Sequence, residues 1–191
     1  MQSHDRGIPT ARSVEHVAFT VPDLDEAVAF FVDVLGADEL YRVGPFSDAE
    51  GDWMEVQLGV DRRASCEVAH LRLGPNLNLE LFTWSTPDQR TEAPRPSDVG
   101  AGHIAFFVDD MAAAADYLAS QPGVRVLGEM QTIEEGPSAG YQWLAFEAPW
   151  GLALEIMSRP ERLPYEDTTA ARFYGPAPSW VSPNPDQKVN Q

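Results

Sequence analysis

The chain repeats itself. The run His16-Val17-Ala18-Phe19-Thr20-Val21-Pro22-Asp23-Leu24 is echoed by His103-Ile104-Ala105-Phe106-Phe107-Val108-Asp109-Asp110-Met111, a strand-like stretch that ends in an acidic turn. A second echo follows in the same order: Leu77-Asn78-Leu79-Glu80-Leu81-Phe82 corresponds to Leu152-Ala153-Leu154-Glu155-Ile156-Met157. Both copies of a repeated segment must build the same unit, so the fold reduces to what one copy can form.

Each copy reads as a strand, a helix and then further strands. In the first, Val14 to Val21 is a strand, and Asp23 is placed to cap a helix in which Leu24, Ala27, Val28, Phe31 and Leu35 recur at helical spacing. Gly36 is placed to end that helix. Strands follow at Glu39 to Val43, Cys66 to Leu73 and Leu77 to Trp84, the last two joined by a Gly74-Pro75-Asn76 turn. The interruption from Pro45 to Ala64 allows a short helix around Trp53 to Leu58 or a strand, and the helix is favoured. In the second copy, His103 to Val108 is a strand and Asp109 or Asp110 caps a helix over Met111 to Ala119. Tyr117 and Leu118 are expected on that helix's buried face. Strands are then predicted at Val124 to Glu129, Tyr141 to Ala148 and Leu152 to Met157, with residues 134–140 as a mobile, lid-like loop.

The organisation that results is an N-terminal arm at 1–13, a first module at 14–84, a Pro- and Asp-rich linker at 85–100, a second module at 101–158 and a Pro-rich tail at 159–191. Tyr165, Phe173, Tyr174 and Trp180 suit a tail that packs on the body or on a second subunit. At 191 residues, the chain is long enough to fold without a disulfide or a structural metal, so a metal site has to be explained by chemistry.

Strand parity then picks out the candidate site. Side chains alternate across a strand, so apolar positions at one phase send the intervening residues to the other face. Val17, Phe19 and Val21 oppose His16; Ile104, Phe106 and Val108 oppose His103. Leu77, Leu79 and Leu81 oppose Glu80; Leu152, Leu154 and Ile156 oppose Glu155. A lone strand histidine is usually a hydrogen-bonded core or edge residue, and a lone strand glutamate is usually solvated. Four such residues at equivalent phases of two repeats have no reason to share that symmetry unless they share a task. If the modules join side by side into one curved sheet, His16, Glu80, His103 and Glu155 converge, and two imidazoles with two carboxylates suit a divalent Zn, Ni, Co, Mn or Fe ion.

By the same parity, Ala69, Leu71 and Leu73 turn His70 and Arg72 toward the ligand face. A histidine there can carry a proton at neutral pH, and Arg72 can hold a carboxylate. Glu155 is a second candidate base. Trp84, Tyr141 and Trp143 share this face and suit an apolar or aromatic oxygenated substrate.

The paired modules, with His16, Glu80, His103 and Glu155 in this order, resemble the vicinal oxygen chelate superfamily, which includes glyoxalases, epimerases, extradiol dioxygenases and the fosfomycin and bleomycin resistance proteins. The resemblance covers residues 14–158. It implies an α+β fold in which two βαβββ modules pair into a curved mixed sheet forming a cup around one divalent metal, with those four residues at the metal positions. It also implies a homodimer. Epimerase-like members carry a glutamate on the strand where this chain has His70, which is a departure.

Three activities stay open. One is a metal-dependent isomerase, epimerase or lyase that moves a proton next to a carbonyl. The second is an Fe(II)-dependent ring-cleaving dioxygenase, against which four protein ligands count because they leave fewer open positions. The third is an aromatic drug-binding resistance protein. Lys plus Arg total 13 against 30 Asp plus Glu, a formal net charge of −17 that repels nucleic acid and anionic membranes. The single cysteine, Cys66, excludes an intramolecular disulfide. With no apolar leader and no run of about 18 apolar residues, the expectation is a cytoplasmic protein acting on a small molecule.

Overall fold

The computed structural model describes residues 7–48 and 50–180. Residues 1–6 of the predicted arm, Ala49, and residues 181–191 of the predicted tail lie outside the described residues. The chain divides into two compact units: the first runs to Pro87 and takes in Ser179 and Trp180, and the second is Asp88–Pro178.

The first unit is a four-stranded mixed sheet in the order β1-β4-β3-β2. Its strands are β1 (His16–Thr20), β2 (Asp38–Ser47), β3 (Ser65–Leu73) and β4 (Leu77–Ser85). β1 lies parallel to β4, and the remaining neighbours are antiparallel. Helix α1 (Leu24–Ala29) begins where the sequence placed it, with the Asp23 carboxylate accepting from the Glu26 amide at 2.8 Å. It buries Leu24, Ala27 and Val28, and on the sheet side Leu71, Leu79 and Leu81 are fully enclosed.

The helix does not continue to Leu35 as one regular element. Phe30–Val34 forms a π-type turn in which the Leu35 amide reaches back to the Phe30 carbonyl. Phe30 and Phe31 are both buried and meet edge-to-face, with ring centroids 5.9 Å apart. Regular α-helical rotation would turn two successive side chains about 100° apart, and the wider turn accompanies their joint burial. β2 also runs further than its apolar pattern indicates, passing Pro45 to Ser47. Pro45 is tolerated because β2 is an edge strand with an irregular register between Val43 and Phe46.

The predicted short helix is present as α2 (Trp53–Leu58). Its Met54 forms a small apolar cluster with Ala64 and Cys66, against which Phe82 and Trp84 pack. Trp180 completes this unit from the tail: its indole donates to the Gly36 carbonyl at 3.2 Å. A Cβ on Gly36 would meet that ring at 3.0 Å, and one on Gly74 would meet it at 2.8 Å, so the two glycines form the seat.

The second unit repeats the plan in the order β5-β8-β7-β6. It contains β5 (Ile104–Phe107), α3 (Met111–Ser120), β6 (Arg125–Thr132), β7 (Gln142–Glu147) and β8 (Ala153–Ser158). Asp110, rather than Asp109, caps α3, accepting from the Ala113 amide at 2.9 Å. Leu118 is buried, but Tyr117 is 46% exposed. Successive helical residues point in different directions, and here only one of the two faces the sheet. The loop at 134–140 turns back on itself through a bond from the Gly140 amide to the Ile133 carbonyl, and the Tyr165 amide of the tail bonds Pro137. The early tail is part of this unit: Leu163 is buried and Pro164–Asp167 forms a 3-10 turn.

The fold is thus α+β, built as two four-stranded ladders, one per repeat. Among the described residues, no helix is long and apolar enough to cross a membrane.

Two outcomes follow from this packing. Leu81→Ala should cost about 3 kcal/mol in urea unfolding, whereas Tyr117→Ala should change stability by no more than about 0.5 kcal/mol. Burial raises the Cys66 thiol above its ordinary pKa, so the native protein at pH 8 should resist a thiol-specific disulfide reagent that reacts fully with the urea-unfolded chain.

Candidate functional site

In the first unit the site grows from the central strand β4. Burial of Leu79 and Leu81 against α1 leaves Glu80 on the opposite face. The antiparallel ladder sets His70 directly opposite Glu80 and Cys66 opposite Trp84, and residues so paired share a face. Each oxygen of Glu80 then faces one imidazole: Oε2 lies 3.2 Å from Nε2 of His16, and Oε1 lies 3.4 Å from Nδ1 of His70. The Glu80 side chain is only 17% exposed, and among the described residues neither oxygen forms a salt bridge with a lysine or arginine.

The row continues at both ends through residues that parity did not single out. Tyr41 of the edge strand stands opposite His70 and stacks on its ring, with centroids 4.3 Å apart and planes 24° apart. At the other end, Nδ1 of His16 lies 2.5 Å from Oε2 of Glu15. Asn78, two residues before Glu80 on the same strand face, donates to Oε1 and to the carbonyl of Glu15 at 2.9 and 3.0 Å. The hydrogen bond that His16 donates to the Glu15 carboxylate raises the imidazole pKa above its ordinary value, and the same bond holds the Glu15 carboxyl below the usual carboxylate range. A signal for Asn78 existed in its phase, shared with Glu80, and for Glu15 in its adjacency to His16. Tyr41 carried none beyond its place in an edge strand.

Arg72 shares the Glu80 face but is engaged with Asp38, donating from Nη2 at 2.7 Å. Its Nε is buried without a hydrogen-bond partner. Trp84 is on this face too, where it stacks with Phe82 at 5.8 Å and packs on the Met54 cluster.

The second unit presents a barer version of the same face. Leu154 and Ile156 are buried, leaving Glu155 on the other side with its side chain 21% exposed. Nε2 of His103 lies 3.7 Å from Oε2 of Glu155. The residue opposite Glu155 is Ala145, so the position held by His70 in the first unit carries no titratable group here. Trp143 stands opposite Met157. Tyr141, just before β7, has its phenol pKa raised by burial and by the Glu155 carboxylate, with Arg159 pulling the other way.

Chemically, each unit offers a shielded carboxylate facing imidazole, two rings in the first unit and one in the second, with no salt bridge to a lysine or arginine among the described residues. Two acceptors facing one another at this distance need a proton or a cation between them, and a histidine–carboxylate pair is a donor set suited to divalent zinc or to the harder transition-metal ions. Each pair is chemically suited to a divalent ion, as a partial donor set within its own unit. Among the described residues, no three His, Cys, Asp or Glu side chains are grouped so as to hold a metal ion; each unit contributes a pair.

Residues 15–141 match the model of the glyoxalase/bleomycin resistance protein/dioxygenase superfamily. The chain belongs to that superfamily. Its relatives there include a 2-epi-5-epi-valiolone epimerase from an Actinomyces species, 53% identical over 175 residues that span 92% of this chain and 94% of that protein. The uncharacterised protein YaeR of Escherichia coli K12 is 29% identical over 148 residues, 76% of this chain and 95% of YaeR. Among solved structures, a glyoxalase family protein from Bacillus cereus matches with a TM-score of 0.58 at 19% identity, covering 80% of this chain and 99% of that one. A glyoxalase family protein from Enterococcus faecalis matches at 0.54 and 21%, covering 76% and 97%. These two share the fold. Within the superfamily, the epimerase relative supports an isomerase-type enzyme.

Proposed function

We propose that this protein is a divalent-metal-dependent epimerase that inverts a stereocentre beside the carbonyl of a small oxygenated ketone. The reading extends to a substrate of the 2-epi-5-epi-valiolone type, since the epimerase relative is 53% identical. The observation that carries it is the row His70, Glu80, His16, in which one carboxylate faces both a candidate ligand and a candidate base.

His16, Glu80, His103 and Glu155 would hold the metal, as Zn, Ni, Co, Mn or Fe. When bound, the ion supplies Lewis-acid charge that stabilises negative charge on an oxygen next to the reacting carbon. The rest is the work of the chain's own groups. The Glu80 carboxylate holds the Nδ1 proton of His70, which leaves the Nε2 lone pair free to take a proton from substrate carbon. Tyr41, stacked on the ring, keeps the imidazole in one plane. Inversion requires a proton to arrive on the other face of that carbon: Glu155 would leave the metal during turnover, deliver the proton from its protonated form and be re-protonated from solvent, while His70 releases its own proton to solvent. Tyr141 and Trp143 supply an apolar side to the binding surface, and Arg72 an additional polar contact. A second copy of the chain is part of the proposal as a homodimer, acting on its small molecule in the cytoplasm.

The test is activity toward 2-epi-5-epi-valiolone in deuterated water, followed by proton NMR, together with elemental analysis. Deuterium should enter the carbon next to the carbonyl as the epimer appears. His70→Ala should lower turnover by about 10²–10⁴-fold while keeping about one metal equivalent per chain. His103→Ala and Glu155→Ala should lose the metal. Full activity after chelation, or epimerisation without deuterium uptake, would reject the reading.

A further inference from the structure

The two modules are not equivalent around their histidines. His16 is held by a neighbouring carboxylate, which is in turn held by an amide: Nδ1 of His16 to Oε2 of Glu15 at 2.5 Å, and Asn78 to both Oε1 and the main-chain oxygen of Glu15. In the second repeat the residues at these positions are Gly102 and Ala153, which have no polar side chain. Among the described residues His103 has its ion-pair contact with Glu155, at 3.7 Å.

We propose that Glu15 and Asn78 are positioning residues that fix the tautomer and ring orientation of His16, so that the first module presents a prepared nitrogen lone pair and the second does not. The inference rests on the reading of His16 as a metal ligand. A neutral imidazole has one donor and one acceptor nitrogen. A carboxylate beside Nδ1 makes that nitrogen the donor and leaves Nε2, the atom facing Glu80, as the acceptor. Carboxylate partners of this kind orient ligating histidines and raise their basicity.

Glu15 is 73% exposed, so its bond to His16 adds little to stability. The bond from Asn78 to its Oε1 has another effect: it restricts the rotational freedom that an exposed glutamate otherwise keeps. The parallel register of β1 on β4 places Asn78 beside His16, so the clamp is built from the same ladder that carries Glu80. One module thus offers a preset donor, and the other a histidine free to adjust.

The test uses the full chain in three variants, with two readouts. The first is the tautomer of His16 in metal-free protein, from long-range nitrogen–proton correlations of histidine-labelled samples; the second is affinity for Co(II) alone, by competition with a chelator. At alkaline pH, where the ring is neutral, wild type should show the Nδ1–H tautomer, because the 2.5 Å bond to Glu15 outcompetes the 3.2 Å contact with Glu80. Glu15→Ala should lose that preference and bind Co(II) about 10–100-fold more weakly. Glu15→Gln, whose amide oxygen still accepts from Nδ1, should restore the tautomer and part of the affinity. His16→Ala should remove tight binding.

If His16→Ala abolishes binding while Glu15→Ala leaves both tautomer and affinity within twofold of wild type, the clamp is overturned. If His16→Ala leaves binding intact, the ligand reading fails instead. The clamp is then decided by the tautomer, which supports it if shifted in Glu15→Ala and overturns it if unchanged.

Discussion

Everything chemical on this scaffold depends on the enclosure of leucine side chains beneath one face of a central strand. Leu79 and Leu81 are shut away against α1, and Leu154 is buried at the equivalent position of β8. A strand cannot slip by one residue without sending those leucines into water, at about 2 kcal/mol each. That penalty locks Glu80 and Glu155 on the opposite face without any polar interaction having to hold them there. A carboxylate placed by the burial of its neighbours can spend its own oxygens on ligands. This is why Glu80 can face two imidazoles while being mostly shielded from solvent.

The repeat duplicates the scaffold but not the chemistry. In the first unit the ladder position opposite the glutamate is His70, its edge-strand neighbour is Tyr41, and the histidine of β1 has Glu15 and Asn78 behind it. In the second unit, Ala145, Leu127, Gly102 and Ala153 take those places. A pair that is only required to bind needs one imidazole and one carboxylate. A unit that must also move a proton needs a group whose tautomer is set, and that demands further partners. Among the described residues the first unit alone carries those partners, so in the proposed mechanism its His70 takes the proton, and the second unit contributes only Glu155, to the return step.

How much of this was legible in the sequence follows from which interactions are local. The helix caps Asp23 and Asp110, the short helix at Trp53–Leu58 and the faces of His16, Glu80, His103 and Glu155 depend on side-chain type and spacing within a few residues. These patterns survive folding because nothing distant competes with them. The π-type turn at Phe30–Val34 was not legible, because its apolar spacing is the same as that of an ordinary helix and only the joint burial of two phenylalanines distinguishes it. Tyr117 was misplaced for a similar reason: an aromatic next to Leu118 satisfies a helical pattern whether or not it faces the sheet. Tyr41 and the Glu15–Asn78 pair escaped because each acts across strands, through a register that no single strand's pattern encodes. Trp180 reaches Gly36 across most of the chain's length, and only the empty space left by two glycines reveals why it stops there.

The charge of the chain bears on the proposed chemistry from outside the site. A formal net charge of −17 creates a field that raises the local concentration of divalent cations and lowers that of anions. A catalyst with this field gains in loading a metal and loses in capturing phosphorylated or carboxylated substrates unless a basic pocket overrides it. Of the cationic side chains on the ligand face of the first unit, Arg72 is already engaged by Asp38, which leaves an anionic substrate little to hold. A neutral, oxygen-rich ketone meets no such penalty. It can approach through the field unopposed, and in the proposed mechanism it would be selected at short range by a bound metal and the His70–Glu80 pair, where the effective dielectric is low and each contact counts for more.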